Sequence, residues 1–241
     1  MLALFNKTCY LLAIEMIKAV IFDMFETLVT LFEGKTYFSE NVVSDLDLND
    51  ELEAYRKAWH ATEKDRTTGK YTFARGIEIA LKEIGHYSPE KVELVMSHRL
   101  QALQDTFSAI PDESFELLQE LKSRGIKIGL MTNTFSDERD FIRDCKLFPF
   151  FDVPLISYEI GICKPSQEMF SRMTEELGLS ADECLYVGDG GSRELYAARE
   201  AGMHPVQCTW FHDLAFEPHV PCPILDEFDH AEKQLDILKY L

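Results

Sequence analysis

The stretch KAVIFDMFETLV, residues 18 to 29, does most to narrow what this chain can become. Its apolar residues, many of them β-branched or aromatic, run on without alternation and stop at a carboxylate, Asp23. A short continuous run of this kind reads as a strand covered on both faces, the situation of a parallel strand flanked by helices. The carboxyl end of such a strand opens onto the crevice where open α/β sheets bind ligands. Asp23 is therefore either a turn or capping residue or a group placed for chemistry, and the local sequence leaves both open.

Downstream, strand and helix patterns take turns. Pro111 opens the helix DESFELLQELKSRG, which ends at Gly125 and feeds the strand IKIGLMTN. DERDFIRDCKLF reads as a helix, VPLISYE as a strand, QEMFSRMTEELG as a helix, and ECLYVGD as a strand entering the helix SRELYAAREAG. HPVQCTW and CPIL read as further strands, and DEFDHAEKQLDILKYL as a closing helix. This order predicts right-handed crossovers and an α/β fold with a doubly wound, mostly parallel, Rossmann-like sheet. Between the first strand and Pro111, NDELEAYRKAWHATEKDR, TFARGIEIALKEIG and SPEKVELVMSHRLQALQDTF place apolar residues at helical spacing. We therefore divide the chain into an N-terminal extension (1–16), a core (17–30 and 108–241) and an inserted helical cap (31–107). Met16, directly before the first strand, is the expected natural start.

With 241 residues, 46% of them hydrophobic, the chain can bury a sizeable core. Its formal net charge of −18 argues against nucleic acid or an anionic membrane as a partner. The apolar N-terminus lacks a small-residue cleavage site, and the six cysteines are scattered without metal or redox spacing, so a cytoplasmic protein with reduced thiols is expected. No two histidines have ligand-pair spacing, so all seven read as structural or surface residues. Either a monomer or a homodimer fits this composition.

Several strand ends carry polar residues suited to a common chemistry. These are Asp23, Thr132 and Asn133 after IKIGLM, and Asp189 after ECLYVG, with Lys164 and Glu194 in the loops nearby. Each has a plain explanation as a turn, cap or helix-dipole residue. Their shared position at one sheet edge is harder to explain that way.

In order and context, FDMFETLV, LMTN, GICKP and VGDGGSRE with the trailing AAREAGM resemble the four motifs of the haloacid dehalogenase-like (HAD) hydrolase superfamily, in its branch with a helical cap after the first motif. The resemblance runs from about Ile17 to the end, the cap matching in length and helical character alone. It implies a hydrolase whose nucleophile is Asp23, attacking phosphorus to form an aspartyl-phosphate that water then hydrolyses. It also implies Mg²⁺ held by Asp23, Asp189, Glu194 and the backbone carbonyl of Phe25, with Thr132, the backbone of Asn133 and Lys164 around the phosphoryl group of a small phosphorylated substrate.

The chain departs from that pattern at Phe25, where family phosphatases carry a second Asp as acid and base. Glu26 stands where glycine is usual, and it is the nearest group that could take over. A missing acid/base costs on the order of 10²- to 10⁴-fold. Two readings therefore stand beside the phosphatase: a 2-haloacid dehalogenase-type enzyme, in which Arg56 would receive halide, and a weak or inactive member that binds without turnover. A phosphonate-hydrolase reading would need a cap lysine, Lys35, Lys57, Lys64 or Lys70, none in a diagnostic context. Phe32, Tyr37, Phe38 and Trp59 are candidate pocket residues.

Overall fold

A computed structural model describes residues 17–33, 37–215, 219 and 221–241. The expected extension, its Met16 start and Lys35 lie outside the described residues. Six parallel strands form one sheet: β1 (Ala19–Phe22), β2 (Lys127–Thr132), β3 (Val153–Ile156), β4 (Cys184–Gly188), β5 (His204–Cys208) and β6 (Asp229–Ala231), in the order β3-β2-β1-β4-β5-β6. β1 lies in the interior with Phe22 level with Leu130 on one side and Val187 on the other. All four β1 residues are fully buried, as a strand covered on both faces requires. Val20 and Phe22 join one core layer with Leu117, Leu121 and Val187, and Ala19 and Ile21 join the opposite layer with Met169, Phe170 and Met173.

The chain runs outward from β1 to β2 and β3, then crosses to β4 on the other flank of β1 and continues to β5 and β6. Reversal of winding beside β1 opens a crevice at its carboxyl end. That topology puts Asp23 at the sheet's ligand-binding position.

Between β1 and Pro111 the described residues form five α-helices: α1 (Ser39–Asp45), α2 (Leu52–Ala61), α3 (Glu63–Thr67), α4 (Phe73–Glu83) and α5 (Pro89–Ser108). They enclose a core of their own, including Val42, Tyr55, Ile77, Leu81 and Val95. The predicted helix over 49–66 is divided at Thr62, whose hydroxyl turns back to the Trp59 carbonyl. Ser88 caps α5 by accepting from the Lys91 N–H (3.3 Å), with Pro89 at the first helical position. Four more helices follow within the core and flank the strands or carry the loops at their ends: α6 (Asp112–Ser123), α7 (Ser136–Asp144), α8 (Ser157–Ile160) and α9 (Gln167–Leu177). The last α-helix, α10 (Glu194–Glu200), follows β4.

Three expectations need correction. VPLISYE is a strand as far as Ile156 and then turns into α8, where the Ser157 hydroxyl accepts from the Thr134 N–H (2.9 Å). CPIL is not a strand: the Gln207 side chain pins Pro223 and Leu225 into a loop, and prolines at 221 and 223 remove ladder donors. The sixth strand is instead Asp229–Ala231, inside the predicted closing helix, which shrinks to a 3-10 helix at Gln234–Tyr240. Residues 229–231 carry no strand signal of their own, and pairing with β5 from Val206 to Cys208 imposes the conformation. No helix among the described residues is long and apolar enough to cross a membrane.

Candidate active site

The crevice gathers side chains from every strand end that the sequence singled out. Asp23 directly follows β1, its N–H bonded to the Val187 carbonyl (2.9 Å) and its Oδ1 accepting from the Met24 N–H (2.7 Å). Asp189 follows β4, Glu194 opens α10, and oxygens of the three carboxylates lie within 4.8 Å of one another. Lys164, from the loop between α8 and α9, brings its fully buried Nζ to 2.6 Å from Asp23 Oδ2. Thr132 closes β2, and its buried hydroxyl has no partner among the described residues. Such an orphan suits a group that arrives with a ligand.

Local chemistry holds these groups in place. Asn133 clamps the Lys164 backbone from both sides, accepting its N–H at Oδ1 (2.8 Å) and donating Nδ2 to its carbonyl (3.1 Å). Glu194 braces the loop after β4, each oxygen accepting a backbone N–H, from Gly190 (2.8 Å) and Ser192 (2.7 Å). Gly188 permits that approach, since a Cβ there would stand 2.9 Å from Glu194 Oε1. Arg193 takes a left-handed conformation (φ 56°) to turn the chain around the carboxylate.

Sequence reasoning missed two supports. The Gln207 amide, fully buried on β5, donates to the carbonyls of Asp189 (2.9 Å) and Pro223 (3.0 Å). The Tyr186 hydroxyl accepts from Lys164 Nζ (3.3 Å). Tyr186 lay inside an apolar strand pattern and Gln207 inside the strand after it, so only the reversed winding brings them to the site.

Three carboxylates face one ammonium here, leaving negative charge in excess. Burial, and then Glu194, raise the Asp23 carboxyl above its ordinary range against the pull of Lys164. Asp189 is pushed up to about 7 by burial, then by Glu194 and Asp23. Burial opposes the charge on Lys164, yet Asp23 and Glu194 outweigh it and hold the ammonium above its ordinary value. A divalent cation with oxygen ligands is the natural counter-charge for such a set.

Phe25 and Glu26 occupy the turn that follows Asp23. Phe25 packs edge-on against Phe107 of α5, the ring centroids 6.2 Å apart. Glu26 has a left-handed backbone (φ 54°), the conformation that a glycine would take without strain. Its carboxylate accepts from the Thr30 hydroxyl (2.7 Å) and the Leu31 N–H (2.8 Å), so it braces the chain's exit toward the helices. Arg56 on α2 is not free to receive an anion, because Glu40 and Glu53 both pair with it. Lys57, Lys64 and Lys70 are exposed on the cap surface.

One cavity opens beside this cluster and a second adjoins the first. One, of about 410 Å³, includes Asp189, Gly191, Phe25 and Glu26 in its wall together with Phe32 and Phe211. The other, of about 550 Å³, is walled by Tyr37, Tyr55, Arg56, Trp59 and Phe135 among others, and the two share Leu31, Phe38 and His219. His212 and His219 line the smaller one, so these two histidines lie nearer the site than their sequence context suggests.

A parallel sheet with reversed winding, an acidic cluster at its crevice and helices inserted after the first strand define an α/β protein of the Rossmann-like class with a candidate cation site at its switch point. Residues 17–202 match the family model described as haloacid dehalogenase-like hydrolase, and the chain belongs to that family. It is 28% identical over 201 residues to the glyceraldehyde 3-phosphate phosphatase of Methanocaldococcus jannaschii, covering 80% of this chain and 85% of that one. Identity to the enzyme of the same name from Methanopyrus kandleri is 27% over 239 residues, covering 94% and 99%. In fold it resembles a HAD-family enzyme of Bacteroides thetaiotaomicron solved with magnesium and inorganic phosphate (TM-score 0.59, 19% identity, 80% and 94% covered). It also resembles a 2-haloacid dehalogenase of Pseudomonas syringae pv. tomato (TM-score 0.64, 20% identity, 93% and 98% covered).

Proposed function

We propose that the protein is a Mg²⁺-dependent phosphatase of a small phosphorylated molecule, with Asp23 as nucleophile. The observation that carries this reading is the convergence of Asp23, Asp189 and Glu194 within 4.8 Å, with Lys164 on Asp23 and the orphan Thr132 hydroxyl in the same crevice. Similarity to two glyceraldehyde 3-phosphate phosphatases supports a phosphomonoester as substrate. An enzyme that attacks carbon has no use for two further carboxylates around its nucleophile, and the expected halide receptor Arg56 is already paired.

In this reading Asp23, Asp189 and Glu194, with the backbone carbonyl of Phe25, would hold Mg²⁺. The bound ion would cancel the charge that otherwise keeps a carboxylate from approaching a phosphate dianion. Lys164 neutralises Asp23 and one phosphoryl oxygen, and the Thr132 hydroxyl and the Asn133 backbone N–H donate to others. The Asp23 Oδ atom attacks phosphorus, the bond to the leaving oxygen breaks, and water cleaves the aspartyl-phosphate to restore the carboxylate. The free cysteines at 145, 163, 184, 208 and 222 accord with a cytoplasmic location.

The test is hydrolysis of acetyl phosphate by purified protein with Mg²⁺. Turnover is expected, with Asp23→Asn reducing it to background. Turnover that survives Asp23→Asn overturns the assignment. Binding of phosphate with Mg²⁺ but no turnover would instead make the protein a ligand-binding member of the family.

A further inference from the structure

The 410 Å³ cavity beside Asp189 has an unusual wall for a site that handles phosphate esters. Phe25, Phe32, Phe38 and Phe211 supply its rings, and no lysine or arginine is among its described lining residues. Its titratable groups are the carboxyls of Glu26 and Asp189 and the imidazoles of His212 and His219. A second anionic group on a substrate would meet the Glu26 carboxyl and no permanently charged cation among these lining residues, which disfavours phosphorylated acids. An uncharged planar body would bury its faces against the phenylalanines.

The same residue bears on the chemistry. Phe25 stands in the turn after the nucleophile and lines this cavity, and its ring can donate no proton to a departing oxygen. Glu26 is committed to Thr30 and Leu31. An aliphatic alkoxide is roughly as basic as hydroxide, the conjugate base of water with a pKa of about 15.7, and it leaves poorly without an acid. A phenoxide, conjugate base of a group with a pKa of about 10, leaves far more readily.

We propose, building on the phosphatase reading, that the preferred substrates are phosphate monoesters of uncharged aromatic or enolic groups, whose leaving group sits among Phe25, Phe32, Phe38 and Phe211 and departs without protonation from position 25 or 26. Asp23 forms a bond to phosphorus while the P–O(aryl) bond breaks. The aryloxide takes the electron pair and is protonated by solvent. Water then attacks phosphorus, the P–O(Asp23) bond breaks, and the proton goes to phosphate and solvent. With no acid/base at position 25 to activate that water, the second step is the slower, so the aspartyl-phosphate accumulates.

Three substrates separate this proposal from the reading beneath it: acetyl phosphate, phenyl phosphate and glycerol 2-phosphate, each measured with Mg²⁺. The expected result is kcat/KM for phenyl phosphate exceeding that for glycerol 2-phosphate by on the order of 10²-fold or more, with a burst of phenol equal to the enzyme concentration. Phe25→Asp should narrow that gap by accelerating the alkyl ester. Phe211→Ala should raise KM for phenyl phosphate by a severalfold larger factor than KM for acetyl phosphate, which has no ring. Equal or reversed preference between the two esters, with acetyl phosphate still hydrolysed through Asp23, overturns the aromatic-substrate proposal alone. Failure to hydrolyse acetyl phosphate overturns both.

Discussion

At the scale of single residues, the turn after Asp23 is where the chain differs from its family's pattern, and Glu26 shows how burial and charge trade there. Its carboxyl is pushed up to about 7, chiefly by burial and against the hydrogen bonds from Thr30 and Leu31. Below pH 4.5 the group is protonated whether the chain is folded or not. Between 4.5 and about 7 the unfolded chain releases the proton while the folded protein keeps it, so stability falls as pH rises through this window. The loss amounts to at most about 3 kcal/mol. Denaturant titrations in chelator should therefore show wild type losing more stability than Glu26→Gln from pH 4.5 to 7.5. Equal slopes would mean that Glu26 ionises at its ordinary value. Asp23, Thr132, Lys164, Asp189 and Glu194 could all be named as candidates from their strand-end context. The orientation of Glu26 could not, because a left-handed backbone at a non-glycine residue is set by the surrounding contacts.

At the scale of elements, the inserted helices meet the core through a buried charge cluster that no motif announced. Arg99 on α5 donates Nε to Asp137 (2.9 Å) and pairs with Glu138, both on α7, and all three residues are buried. The Phe73 N–H, at the start of α4, donates to Ser136 at the start of α7 (2.9 Å). Arg66 of α3 adds a planar contact, its guanidinium 3.2 Å from the Trp59 ring centroid and 4.4 Å from that of Phe135. Removing Arg99 strands two buried carboxylates. Arg99→Met should destabilise the protein by about 3 to 5 kcal/mol, measured by urea unfolding. A loss under about 1 kcal/mol would show that water relieves the carboxylates and that the cluster does not join the helices to the core. Helical spacing revealed most of the inserted helices, since their apolar stripes build a core of their own. It could not reveal which charged residues turn inward, because Arg99, Asp137 and Glu138 become partners only when α5 and α7 pack.

At the scale of the whole molecule, folding forces three carboxylates together at the sheet's crevice, so a divalent cation should stabilise the folded state as well as serve the reaction. At a hundredfold excess over its Kd, a ligand specific to the folded state contributes about 2.7 kcal/mol. For a protein of this size that corresponds to a rise of roughly 5 to 10 °C in Tm. Scanning fluorimetry with Mg²⁺ against chelator should show this rise, and Glu194→Gln should reduce it by more than half. An identical Tm with and without Mg²⁺ would count against the metal site.

The sequence alone was sufficient for the class of fold and for the polar residues that meet at the carboxyl edge of its sheet. Buried parallel strands need continuous apolar runs, and functional groups at their carboxyl ends must interrupt those runs abruptly. β6 escaped notice because a three-residue edge strand takes its conformation from the neighbour it pairs with. Tertiary structure decided what surrounds Asp23: Asn133 holding Lys164, Gln207 holding the Asp189 loop, and Phe25 turned into an apolar cavity rather than against the core alone. These are relations between segments far apart in the chain. Packing the segments around the crevice creates them, and no local pattern encodes them.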